Sequence, residues 1–110
     1  MGFAENLKHL PGVAHLAAIQ LMDGDGAVVA TIENKQGQTG SLAVYNHLGH
    51  LYGAIDAEAA KKGLELYAEH TEDARKHPGK HPNIDRLLAI EGAQGAMLRI
   101  KHVFAGGAME

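Results

Sequence analysis

A chain of 110 residues with 45% hydrophobic and 21% charged side chains has the size and composition of one globular domain, spanning 1–110, rather than of a disordered segment. The absence of cysteine excludes disulfides, thiolate metal sites and a cysteine nucleophile. A net charge of −3 offers no basic face for nucleic acid, and no apolar run approaches the ~20 residues of a membrane span.

The first residues, Met1 to Glu5, lack the charged start and apolar stretch of a secretion signal, so a cytoplasmic protein is expected. Asn6 stands where a myristoylation motif wants Ser or Thr. Phe3–Leu10 reads as a short helix stopped by Pro11-Gly12. Two strands follow, in which Ala17, Ile19 and Leu21, then Val28, Ala30 and Ile32, alternate with their neighbours. A two-residue turn at Gly24-Asp25 would pair Leu21 with Val28, Ile19 with Ala30 and Ala17 with Ile32 on one apolar face.

After a polar loop over 34–40, Ser41–Tyr52 reads as a helix with Val44, Tyr45, Leu48, Leu51 and Tyr52 on one side. Gly53 is placed to stop it in the left-handed conformation. Asp56 caps a second long helix that runs to His77. Its apolar side is Ala60, Leu64, Tyr67, Thr71 and Ala74, and Gly63 beside it leaves room for another element.

A loop from His77 to His81 leads into a short helix from Pro82 to Ile90, with proline at the first helical position. A third strand places Leu98, Ile100 and Phe104 one way and Met97, Arg99 and Lys101 the other. The tail from Gly106 to Glu110 is expected to fray.

The fold class expected is α+β: a three-stranded, mainly antiparallel sheet (the hairpin plus the C-terminal strand) with helices packed on one face. Gln20, Thr31, Glu33, Arg99 and Lys101 would line the other face.

Three stretches carry a resemblance: Val28-Val29-Ala30-Thr31-Ile32-Glu33-Asn34-Lys35, the run from Gly63 to Arg75, and Pro78-Gly79-Lys80-His81-Pro82-Asn83-Ile84-Asp85-Arg86-Leu87. Over roughly residues 14–90 the chain resembles a family of small bacterial proteins catalogued as a domain of unknown function. That resemblance implies a stand-alone bacterial protein and supplies no site residues. Leu10-Pro11-Gly12-Val13, followed by a hairpin turning at Asp25-Gly26, also resembles the opening of roadblock-type domains, which are dimeric regulators of small GTPases. The helical middle departs from that pattern.

Phosphate-loop, dinucleotide-binding and Gly-x-Ser-x-Gly signatures are missing. Asp23-Gly24-Asp25-Gly26 begins like a calcium loop, but its later ligand positions fall on Ala27 and Val29, so it reads as a turn. Ser41 reads as a helix start with no activating partner near it in sequence.

Eight histidines are the compositional oddity. His47 and His50 are three apart on one helix; His70, Asp73 and His77 recur along a stripe of the next. The sharpest metal set is His47, His70 and Asp73 with zinc or a similar divalent ion. The plain alternative, and the weightier one, is a boundary stripe with one ring edge packed and one wet. Lys80, His81 and Arg86 surround a helix start and form a candidate anion site, set against a simple connecting turn. The reading favoured is a small binding or regulatory module, a homodimer, with a small anionic ligand. A metal-binding protein or metal-dependent enzyme and a roadblock-like regulator are the alternatives.

Overall fold

The hairpin begins the sheet and the C-terminal strand crosses beside it. In the computed structural model, which describes residues 2–93 and 95–106, β1 (Leu16–Met22) pairs antiparallel with β2 (Val28–Glu33) on one side. On the other it pairs antiparallel with β4 (Leu98–Phe104). A further strand, β3 (Ala54–Ile55), joins the far edge of β4 through Ala54↔Arg99 and Ile55↔Leu98. Among the described residues the sheet therefore has four strands, in the order β2-β1-β4-β3, and not three. Two residues between a helix stop and a helix cap have no period to read, although Ile55 is wholly buried.

The hairpin register differs by two residues from the expected one: Ile19 faces Ile32 and Leu21 faces Ala30, with Met22 opposite Val28 across a bulge. The turn is wider than two residues. Asp23 Oδ1 accepts from the backbone N–H groups of Asp25 (2.9 Å) and Ala27 (3.0 Å), and Gly26 takes a φ of +84°. Asp23 thus spends its carboxylate on the turn. A shift of two keeps each side chain on its own face, so Ile19, Leu21 and Ile32 are buried, while Val28 is exposed. Val28, beside the bulge, and Ala17 are the exceptions to the expected apolar face. A second irregularity, between Leu16 and Ala18 against β4, turns those two inward and leaves Ala17 outside.

Helix α1 is shorter than expected (Phe3–Leu7), and α2 starts earlier (Thr39–Tyr52). Asn34 prepares that start: its Nδ2 donates to the carbonyls of Val13 and Leu16, and its Oδ1 accepts from the Thr39 hydroxyl. Gly53 ends α2 at a φ of +78° as expected, but Leu51 and Tyr52 in its last turn are exposed rather than core. The second long helix is broken into α3 (Ala57–Tyr67), capped by Asp56 as expected, and α4 (Glu69–Lys76). The break is Ala68, at a φ of +54°. The Thr71 hydroxyl donates to the Leu64 carbonyl across it (2.6 Å). Helix α5 (Pro82–Gly92) has its proline in the first turn.

All five expected apolar positions from Ala60 to Ala74 are buried, and they join Tyr45, Leu48, Ile84 and Leu87 against Ile19, Leu21 and Ile32. Two glycines set how closely the layers approach. A Cβ on Gly63 would stand 2.7 Å from Leu87 Cδ1, and one on Gly49 2.9 Å from Ile100 Cδ1. Thr31, Glu33, Arg99 and Lys101 are exposed on the outer face, with Gln20 half-buried. Phe104, expected to point inward, is exposed where β4 ends. The expectation for the tail falls mostly on residues 107–110, outside the described residues. Among the described residues no helix is long and apolar enough to cross a membrane.

Candidate functional site

Helices that begin on the same side of the core leave a cavity of about 460 Å³ between them. Phe3 and Leu7 of α1 form one part of its lining, and Thr39, Gly40 and Ser41, the first turn of α2, form another. Tyr67 and His70 enter from either side of the Ala68 break, while Lys80, His81, Asn83 and Ile84 come from the start of α5 and the loop before it. This size and mixture of apolar and polar groups is what small-molecule sites usually show. A second depression, about 560 Å³, lies between α4 and α5, but its charged lining of Arg75, Asp85 and Glu91 is mixed in sign.

Asp73 organises the cationic rim. Its Oδ2 accepts from His81 Nε2 at 2.7 Å and from Lys80 Nζ at 3.0 Å, and His77 Nε2 stands 3.7 Å from its Oδ1. The His81 and Lys80 hydrogen bonds hold the Asp73 carboxyl down to about 2. Helix spacing explains part of this, because Asp73 and His77 are one turn apart; the loop at Pro78-Gly79 folds Lys80 and His81 back onto the same carboxylate. Gly79 makes that fold with a φ of +94°, and its N–H donates to Asp85 Oδ2 (2.8 Å).

The residues singled out from sequence separate into groups. Lys80 and His81 line the cavity together; Arg86 does not. Its Nη1 donates to Asn83 Oδ1 (2.8 Å) and to the Tyr45 hydroxyl (3.2 Å), and its guanidinium lies over the Tyr45 ring. The Tyr45 hydroxyl in turn donates to the Asn83 carbonyl at 2.6 Å. Arg86 therefore fixes Asn83 at the cavity wall instead of facing a ligand. Of the expected metal set, His70 lies in the cavity with its ring 5.7 Å from that of His81, the partner of Asp73. His47 has Lys62 and His50 as neighbours instead. Among the described residues no group of three or more His, Asp or Glu side chains is placed to hold a metal ion.

Sequence reasoning passed over three cavity residues. The Tyr67 hydroxyl donates to Ser41 Oγ at 2.7 Å, a contact across 26 residues that no local spacing announces. Burial pushes the Tyr67 phenol up, and pushes Tyr45 up to about 12, so both stay protonated donors. Ser41 accepts from Tyr67, keeps its own O–H donor and lines the cavity. Phe3 is the third. Its ring stacks on Tyr67 with centroids 5.2 Å apart, and its N–H donates to Glu69 Oε1.

With this geometry in hand, the comparison with known families is direct: residues 3–102 match the family described as an uncharacterized protein conserved in bacteria, DUF2322. The chain belongs to that family. The DUF2322 match takes in every cavity-lining residue from Phe3 to Ile84, and it attaches no activity to any of them. No curated protein and no solved structure matches the chain.

Proposed function

We propose that this DUF2322 protein is a small cytoplasmic binding module that holds an anionic small molecule in the cavity between α1, α2 and α5. The observation that carries this reading is the meeting of Lys80 and His81 with the Ser41 hydroxyl in one lining. Two longer helices, α2 and α5, also present their first turns there, where the helix dipole favours negative charge, although in α5 Pro82 has no N–H and the Ile84 N–H donates to the His81 carbonyl. Asp73 balances part of the positive charge of Lys80, so a ligand would share that ammonium rather than find it bare.

The test is thermal unfolding with phosphate against chloride at matched ionic strength. Phosphate is expected to raise the midpoint more than chloride, and Lys80→Ala combined with His81→Ala should remove most of the difference. Phosphate also stabilises proteins by exclusion from their surfaces, so the comparison between variant and parent carries the test. A double variant that keeps the full phosphate increment would overturn the reading. We also propose that the module works as a homodimer, a point argued from the sheet edge below.

A further inference from the structure

The cavity has a second character besides its cationic rim. Tyr67 stacks on Phe3 at an interplanar angle of 19°, Phe3 meets His70 edge-on with centroids 5.1 Å apart, and His70 lies 5.7 Å from His81 at 50°. All four residues line the cavity. Tyr67 is buried and backs Phe3, so the aromatic surface of the wall is formed by Phe3, His70 and His81 and ends beside Lys80. Phe3 is pressed close to the start of α2, where a Cβ on Gly40 would come within 3.2 Å of its Cζ. The Phe3 amide is tied to Glu69 and the Asn6 side chain to the Leu66 carbonyl, which holds α1 as a fixed part of this wall.

A site for a bare inorganic ion has no use for such a surface. Aromatic faces pair with other π-systems in offset or edge-on geometry and gain beyond simple area burial. A cavity of ~150 Å³ holds benzene, so about 460 Å³ leaves room for one or two rings together with an anionic group. We infer that the cavity takes a planar aromatic ligand bearing a single phosphate or carboxylate, with its ring along the Phe3–His70–His81 wall, backed by Tyr67, and its anion at Lys80. This deepens the anion-binding reading and rests on it.

Calorimetric titration of the full chain with phenyl phosphate, cyclohexyl phosphate and inorganic phosphate separates the two claims. Phenyl phosphate is expected to bind about tenfold more tightly than either of the others, the size of one aromatic pair. Phe3→Leu, with folding checked by circular dichroism, should weaken phenyl phosphate selectively. Lys80→Ala should weaken all three probes alike. Equal affinity for phenyl and cyclohexyl phosphate, or for phenyl and inorganic phosphate, overturns the aromatic claim and leaves anion binding standing. Failure of all three probes to bind overturns both.

Discussion

Asn46 and His102 show what a single buried contact asks of the rest of the molecule. Asn46 is almost wholly buried, and its Oδ1 accepts from His102 Nε2 at 3.1 Å, while its Nδ2 has no partner among the described residues. Burial holds His102 below the ordinary histidine value, and the neighbouring rings of His50 and His15 add to the effect. His47 is lowered in the same way, by burial first and then by Lys62 and His50. A histidine whose folded value lies below its unfolded one binds its proton more readily in the unfolded chain. Its stabilising effect is complete above pH ~6.5 and is lost as pH falls through and below that value.

Asp73 acts in a lower window. Its folded value of about 2 lies below the ordinary 3.8, so the contribution it makes is present above pH 3.8 and fades as pH falls toward 2. Urea unfolding between pH 8 and 5 should therefore show stability falling mainly below pH 6.5. His102→Gln, which keeps a donor for Asn46 and cannot charge, should flatten that fall. Equal slopes in parent and variant would remove His102 from the account. None of this was readable from the chain, where the eight histidines look alike. Burial and neighbours separate them, and both come from contacts remote in sequence.

At the scale of elements, Ala68 is the point where local and global demands disagree. A residue with a side chain at a φ of +54° and a ψ of −119° is strained, since only glycine enters that region cheaply. The break lets α3 end with Tyr67 on the cavity and lets α4 restart with His70 facing it. The Thr71 bond to Leu64 secures the junction. Ala68→Gly should thus stabilise the protein by about 1 kcal/mol, read as a higher urea midpoint with an unchanged slope. A loss of stability would show that the Ala68 methyl contributes more than the strain it causes.

The same break explains a limit of the sequence. Ala60, Leu64, Tyr67, Thr71 and Ala74 keep a helical period straight through it, so periodicity alone joins α3 to α4. Caps and stops with dedicated residues were legible: Asp56, Gly53 and the proline of α5 stand where their chemistry requires. The inward positions Ile19, Leu21 and Ile32 were legible too, because burial selects them, but Ala17 and Val28, expected on the same face, lie beside irregularities and are exposed. The hairpin register was not legible, since the width of the turn depends on the Asp23 side chain. For the site, Lys80 and His81 were found through their place at a helix start. Phe3, Ser41 and Tyr67 were missed because tertiary packing alone makes them neighbours.

For the whole molecule, the sheet has two unequal edges. The two-residue β3 covers one of them only at Leu98 and Arg99 of β4, whereas β2 offers six residues and, among the described residues, no strand lies beyond it in the order β2-β1-β4-β3. Long open edges invite pairing with another chain. Val28 and Val29 on this edge are each about half exposed, at 49% and 51%, and no proline interrupts the strand. Two copies related by a twofold axis could pair β2 antiparallel to its mate and extend the sheet, the commonest symmetry for a soluble oligomer. The cavity lies among the helix starts and would stay open in such a dimer, since its lining includes no residue of β2. Light scattering at high micromolar concentration should give twice the chain mass of 11.7 kDa. Val28→Lys with Val29→Lys should reduce it to one chain, because like charges facing each other across the twofold repel. A parent protein that already scatters as one chain would rule out the dimer, and a double variant that stays dimeric would move the interface away from β2.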